Sequence, residues 1–385
     1  MKMIGVVMIV SDKLLDKNTV IEQSIEIKDE ENIKNKDKKQ GRISYVDTAR
    51  AIAIFLTIVS HSGLQYHPIN QFICSFHMPL FFFISGWTQK NKKIEGVKGW
   101  IEFITKKICM LLVPYLLYAL IYCKGADLNN YKYIFYGSIF SLRKAGSVGA
   151  MWFLTCMFSA SIIYQIITNI CSSIKNKKIS NISLIAIIVL CGCISSYFDY
   201  NRMPKIGLPF QVNVALSGVV FMFVGNFVSK LYKVFSEKYN MLKMKRVLLP
   251  ISIIILILGS FLYKLNFEAF TFEKYNFGVV MGEAWYGNYI VFLLNAIICS
   301  IGIILLSMVI DNKFLGYFGK NTIIILYFHT HADSLTRKYI TTDLTAGTYK
   351  YFVNSILVFL EMGLIIPIIN KFFPNLAGKY ISNKT

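Results

Sequence analysis

Arg50 and His61 stand eleven positions apart in an otherwise apolar segment, residues 43–63 (ISYVDTARAIAIFLTIVSHSG). A guanidinium binds or stabilises an anion, and an imidazole takes up and returns a proton. At about 100° per residue, eleven residues return to within roughly 20° of the starting face, and at ~1.5 Å per residue they cover roughly 16 Å. Both side chains are therefore predicted to look into one cavity of a membrane-embedded helix. A charge well inside a bilayer costs about 3 kcal/mol or more, which makes the aligned pair a functional-site hypothesis. The plainer alternative is an Arg that snorkels to the near interface and a His satisfied by a neighbouring helix. Asp47, three residues before Arg50, is placed to neutralise and orient the guanidinium within one turn.

Transfer chemistry in a membrane needs a base, a holder for an anionic donor and a path for an acceptor. His61, His77 and His329 fall in three predicted spans where they could meet at similar depth, with His331 two residues beyond His329. A buried imidazole bonded to a backbone carbonyl is the plainer reading for any one of them. Carboxylates and thiolates at metal-ligand spacing are absent, so no metal is expected. In FHMPLFFFISGW (76–87), Pro79 removes a backbone donor and Ser85-Gly86 permits close approach, which predicts a kinked span beside a cavity. In TKKICMLLVPYLL (105–117), Lys106 and Lys107 either hold a donor phosphate or follow the positive-inside bias. Trp152 in GAMWFL fits an interfacial aromatic belt, and Glu361, alone in the last span, is expected to pair within the bundle.

These residues need helices to position them, and the composition supplies them. Of 385 residues 55% are hydrophobic, including 30 Phe and 23 Tyr, and the mean hydropathy is +0.51. That excludes a soluble domain and predicts an all-α polytopic membrane protein. Stretches near the ~20 residues needed to span recur at 44–64, 69–88, 104–123, 148–170, 179–198, 208–230, 247–265, 288–310, 314–332 and 350–370, which makes about ten transmembrane helices. The ninth is the least apolar, because Lys320 sits at its entrance.

The net charge of +20 is arranged for membrane orientation rather than for nucleic acid. With the N-terminus inside, cytoplasmic segments carry 29 Lys and Arg against 11 outside, with Arg50 itself the remaining one. Without the long N-terminal tail the count is 20 against 11, of the same sign, so both termini are expected in the cytoplasm. Residues 1–42 read as a polar cytoplasmic tail with nine Lys/Arg and eight Asp/Glu, 43–372 as the transmembrane domain and 373–385 as a short C-terminal tail. The apolar stretch 3–10 is too short to span and lacks a cleavage site, so it is not read as a signal peptide, and Met8 is an alternative start. The eight Cys form no CxxC pair and are expected to pack helices. No internal repeat, P-loop or GxGxxG supports nucleotide-driven transport.

Four segments together resemble the acyltransferase-3 family of membrane-bound acyltransferases, in its sugar O-acetylase branch. Asp47, Arg50 and His61 match the Asp, then Arg, ten residues and His of its first span. FHMPLFFFISGW is similar to its H-x-P-[LF]-FF-x-SG stretch, MWFL to its L-W-F-L, and GYFGKNTIIILYFH (316–329) to its late G-K-x-S-[LI]…H. Ala51 stands where Gly is usual after the Arg. Lys107 matches the first basic position before the third-span Pro, and Met110 occupies the second. The resemblance spans about 45–370 and implies acetyl or another short acyl group passing from cytoplasmic acetyl-CoA (acyl-CoA) to a hydroxyl of an extracytoplasmic glycan at the plasma membrane. It implies no permanently bound cofactor and no nucleic acid. His61 would be catalytic base or acyl relay, and Arg50, with Asp47, would orient the donor. Lys107 would contact the donor, and His77, Ser85, Trp152 and His329 would line the substrate site. The alternatives are a polysaccharide-unit transporter or flippase using Arg50, Glu361 and the His residues, and a component of exopolysaccharide export.

Overall fold

The computed structural model describes residues 43–63, 67–90, 92–122, 149–199, 202–203, 207–239, 244–267, 278–340 and 348–379. The expected N-terminal tail, the charged loop 123–148 and the end of the expected C-terminal tail lie outside the described residues. Residues 45–385 form one compact unit. Of the other unit, 1–44, only residues 43 and 44 are described. Among the described residues there is no strand, only one antiparallel bridge between Val280 and Trp285.

In chain order the helices are α1 (Ser44–His61), α2 (Pro68–Cys74), α3 (His77–Thr88), α4 (Gly96–Lys107), α5 (Val113–Tyr122), α6 (Trp152–Ser172), α7 (Lys177–Tyr197), α8 (Val212–Lys238), α9 (Lys245–Leu262), α10 (Tyr289–Val309), α11 (Lys313–Gly319), α12 (Thr322–Tyr339) and α13 (Thr348–Phe372). Among the described residues, eight helical stretches are long and apolar enough to cross a membrane, and they coincide with eight of the ten expected spans. The other two expected spans correspond to α1 and α12, 18 residues each, which are lowered in apolarity by their polar groups. Those groups are Asp47, Arg50 and His61 in α1, and His329, His331, Asp333, Arg337 and Lys338 in α12. The helices least suited to lipid are the ones that carry the candidate site residues.

Three spans are built differently from expectation. The second is broken at Ser75–Phe76, so Pro79 falls in the first turn of α3 rather than kinking its middle. Backbone amides there lack helical partners in any case, and a proline is tolerated. The third passes from α4 to α5 through a π-helical turn, Ile108–Leu112, two residues before Pro114. The wider turn accommodates the ring and the missing amide of Pro114 without ending the span. The ninth begins not at 314 but at Thr322, because Lys320 lies in the turn that separates α11 from α12.

Helix packing in a bilayer relies on close contact of small residues, since lipid is as apolar as Leu. α3 and α8 meet backbone to backbone: a Cβ on Gly86 would lie 1.9 Å from the Met222 carbonyl oxygen, and one on Gly225 would lie 2.1 Å from that of Phe83. Asn226 then donates to the Gly86 carbonyl at 3.2 Å and the Gln89 carbonyl at 3.1 Å. Tyr45, Trp87 and Tyr232 close the adjoining end with ring centroids 5.6 to 6.5 Å apart. α1 is buried on most of its circumference, including Ala49, Ala51, Ala53, Ile54 and Ile58. Only 22% of the apolar windows of the α7 and α9 spans is buried, so these helices meet lipid. Because both partners at the α3–α8 crossing are backbone, Gly225→Val should destabilise the fold by about 3 kcal/mol or more. A wild-type melting temperature of the variant in detergent would refute that packing.

Candidate active site

The first end of the site is the start of α1. Arg50 Nη1 donates to Asp47 Oδ1 at 2.9 Å, with Asp47 buried and the guanidinium 28% exposed. The predicted i,i+3 pair therefore forms. Thr48 Oγ1 donates to Asp311 Oδ1 at 2.7 Å, which ties α1 to the segment before α11. Gly319, in the late motif, packs so closely that a Cβ would lie 1.7 Å from the Asp47 carbonyl oxygen. This contact gives a physical reason for glycine there: the α11–α12 corner is seated on the backbone of the ion-pair residue.

The second end is the end of α1. The His61 and His329 rings lie with centroids 5.2 Å apart, tilted by 51°. His61 is exposed, whereas His329 is wholly buried. His329 Nδ1 lies 3.0 Å from the carbonyl oxygens of both Ile325 and Leu326. Carbonyls only accept, so Nδ1 carries the hydrogen and Nε2 of the neutral ring keeps its lone pair. That buried Nε2 has no partner among the described residues. A proton acceptor is thus fixed in one tautomer beside an imidazole that is open to solvent.

A polar clamp surrounds the same end. Arg337 Nη2 donates to the His61 carbonyl at 3.2 Å, satisfying one of the helix's last acceptors. Arg337 is held by Asp333, which also accepts from Asn354. Thr336 Oγ1 lies 3.0 and 2.9 Å from the two carboxylate oxygens of Glu361, so Glu361 pairs within the bundle as expected. Gly63, at φ +92°, turns the chain out between Arg337 and Tyr351. The cation adjacent to His61 is therefore Arg337, not Arg50.

The other sequence candidates sit elsewhere in the bundle. His77 Nδ1 lies 2.9 Å from the Ile73 carbonyl oxygen, which also accepts from the Phe76 amide at 3.2 Å across the break before α3. Ser85 is half-buried beside Gly86, its carbonyl accepting from Thr88 Oγ1 at 3.1 Å. Trp152 packs its ring against Gly282, where a Cβ would be 2.7 Å away. Lys107 Nζ donates to Ser161 Oγ at 3.2 Å and lies 5.7 Å from the Phe103 ring centre, joining α4 to α6. His331 is exposed, 3.5 Å from Thr330 Oγ1. Sequence reasoning missed Thr48, Asp311, Asp333, Arg337 and Asn354. A signal existed for two of them, since Asp333 and Arg337 follow His329 at i+4 and i+8, on one face of α12.

These features define an integral membrane protein whose candidate site lies along one enclosed helix, with an ion pair near one end and two imidazoles at the other. A family model described as an acyltransferase domain matches residues 43–369. The chain belongs to this acyltransferase-3 family and is a membrane acyltransferase. No curated protein and no solved structure matches it.

The clamp has a testable consequence. Asp333→Ala leaves Arg337 without its carboxylate and loosens the end of α1, so acyl transfer should fall at least about tenfold, ~1.4 kcal/mol in the barrier, at normal membrane abundance. Unchanged transfer would remove the clamp from the site.

Proposed function

We propose that the protein moves an acetyl or other short acyl group from acyl-CoA at the cytoplasmic face of the plasma membrane to a hydroxyl of a glycan at the opposite face. The observation that carries this reading is one buried helix with the Asp47–Arg50 pair near one end and the open His61 beside His329 at the other. Over eleven helical residues the two ends are roughly 16 Å apart. That separation suits the long pantetheine arm of the donor, with its polar nucleotide end toward Arg50 and its thioester toward His61. Arg50 is too distant to act on the reacting carbonyl, so its role is to bind and orient the donor.

At His61 the neutral imidazole removes the proton of the attacking sugar hydroxyl, and the oxygen bonds to the thioester carbonyl carbon. Collapse of the tetrahedral intermediate breaks the carbon–sulfur bond, and the proton held by His61 passes to the leaving thiolate. The His329 ring, its centroid 5.2 Å from that of His61 and its Nε2 lone pair free, stabilises the imidazolium formed in the interim. The burial of His329 keeps competing water from that nitrogen.

His61→Ala should abolish transfer while the protein still inserts, because one imidazole contributes little to a bundle of this size. Ester-linked acetyl on the glycan, measured beside membrane abundance, checks this: near-normal acetylation at normal abundance would exclude His61 as the base.

Sidedness tests the whole reading. In sealed vesicles of known orientation, labelled acetyl-CoA on the cytoplasmic face should label a glycan confined to the other face. Transfer only when both share one face would keep the enzyme and refute the cross-membrane path. Glycan crossing without label would point to transport and sink the assignment.

A further inference from the structure

A groove of about 580 Å³ lies between α7 and the start of α10, with Val220 of α8 also lining it. Its volume is in the range of small-molecule sites, roughly 300–1,000 Å³. The apolar lining includes Ile188, Val189 and Leu293, and Gly192 leaves ordinary contact space against Val220 and Tyr289. It belongs to the lipid-facing side of the bundle, since α7 is largely uncovered there.

One residue of the lining is out of keeping with the rest. Arg202, five residues beyond the end of α7, borders the groove with an exposed side chain that has no partner among the described residues. No ion pair joins it to Asp199, whose buried carboxylate accepts from the Tyr286 amide at 3.1 Å. An unpaired guanidinium beside an apolar trough in a bilayer is complementary to a lipid with a negative headgroup.

The groove also lies at the His61 end of the molecule. Tyr263 donates to the Pro68 carbonyl at 3.2 Å, just after the α1 exit turn. Asn266 then donates to the Tyr286 carbonyl at 2.7 Å, and the Tyr286 hydroxyl lies 3.1 Å from Ser195 of α7. None of the groove residues belongs to the His61–His329 site.

We propose that this groove is a binding site for an anionic phospholipid, one chain lying between α7 and α10 and the phosphate paired with Arg202. Its occupant would be a resident lipid at the acceptor end of the bundle, separate from donor and glycan.

Phosphatidylglycerol and phosphatidylcholine of identical chains, added to the purified full-length protein, distinguish the outcomes by native mass spectrometry. Phosphatidylglycerol should be retained in preference, and Arg202→Ala should reduce that preference about fivefold, since one basic side chain near a lipid surface is worth ~1 kcal/mol. Gly192→Leu should lower retention of both lipids by filling the trough. Should that variant fail to fold, the exposed Cys193 thiol in the groove serves instead. Its maleimide modification, read on its own peptide in phosphatidylglycerol nanodiscs, should be faster in Arg202→Ala than in the wild type. Equal retention of the two lipids, an unchanged preference in Arg202→Ala, or identical Cys193 labelling would each overturn the proposal.

Discussion

A guanidinium inside a bilayer requires a counter-charge, and the Asp47–Arg50 pair is the interaction on which the rest of the arrangement rests. It requires α1 to be shielded from lipid, and the bundle is built accordingly. Trp87 of α3 and Tyr232 of α8 close on Tyr45 near its start, Gly319 of α11 seats on Asp47, and Phe359 of α13 meets Phe55 at 5.4 Å. Among the described spans, those least covered are α7, α9 and the α4–α5 span, whose exposed Ile, Leu and Val side chains are compatible with hydrocarbon.

The two ends of α1 are held by different physics. At the start, backbone contact and short side-chain bonds fix the helix with little room for adjustment. At the finish, a network of longer polar side chains from α12 and α13 holds the last carbonyl and leaves the His61 ring open. One end is rigid and enclosed, the other is reachable.

Much of this was legible in the chain. Apolar runs located the helices, and the spacing of Asp47, Arg50 and His61 placed three groups on one helix before any contact was known. The i,i+3 pair could be inferred because it is local. The break at Ser75–Phe76 and the late start of α12 could not, since hydropathy averages over a window wider than one turn. The clamp was missed for a different reason. Arg337 and Asp333 looked like ordinary polar residues at a span end, and only the fold brings them to a carbonyl 276 positions away in sequence. Lys107 carried two readings, and its bond to Ser161 shows that a basic residue at a span entrance can also be packed between helices.

Because α1 has no bulge or kink between its charged and imidazole ends, its length acts as a gauge with a fixed phase. One residue added between Arg50 and His61 would swing the ring by about 100° and lengthen the gap by ~1.5 Å, losing both alignment and reach. The interval of ten residues is therefore the least negotiable dimension of the molecule.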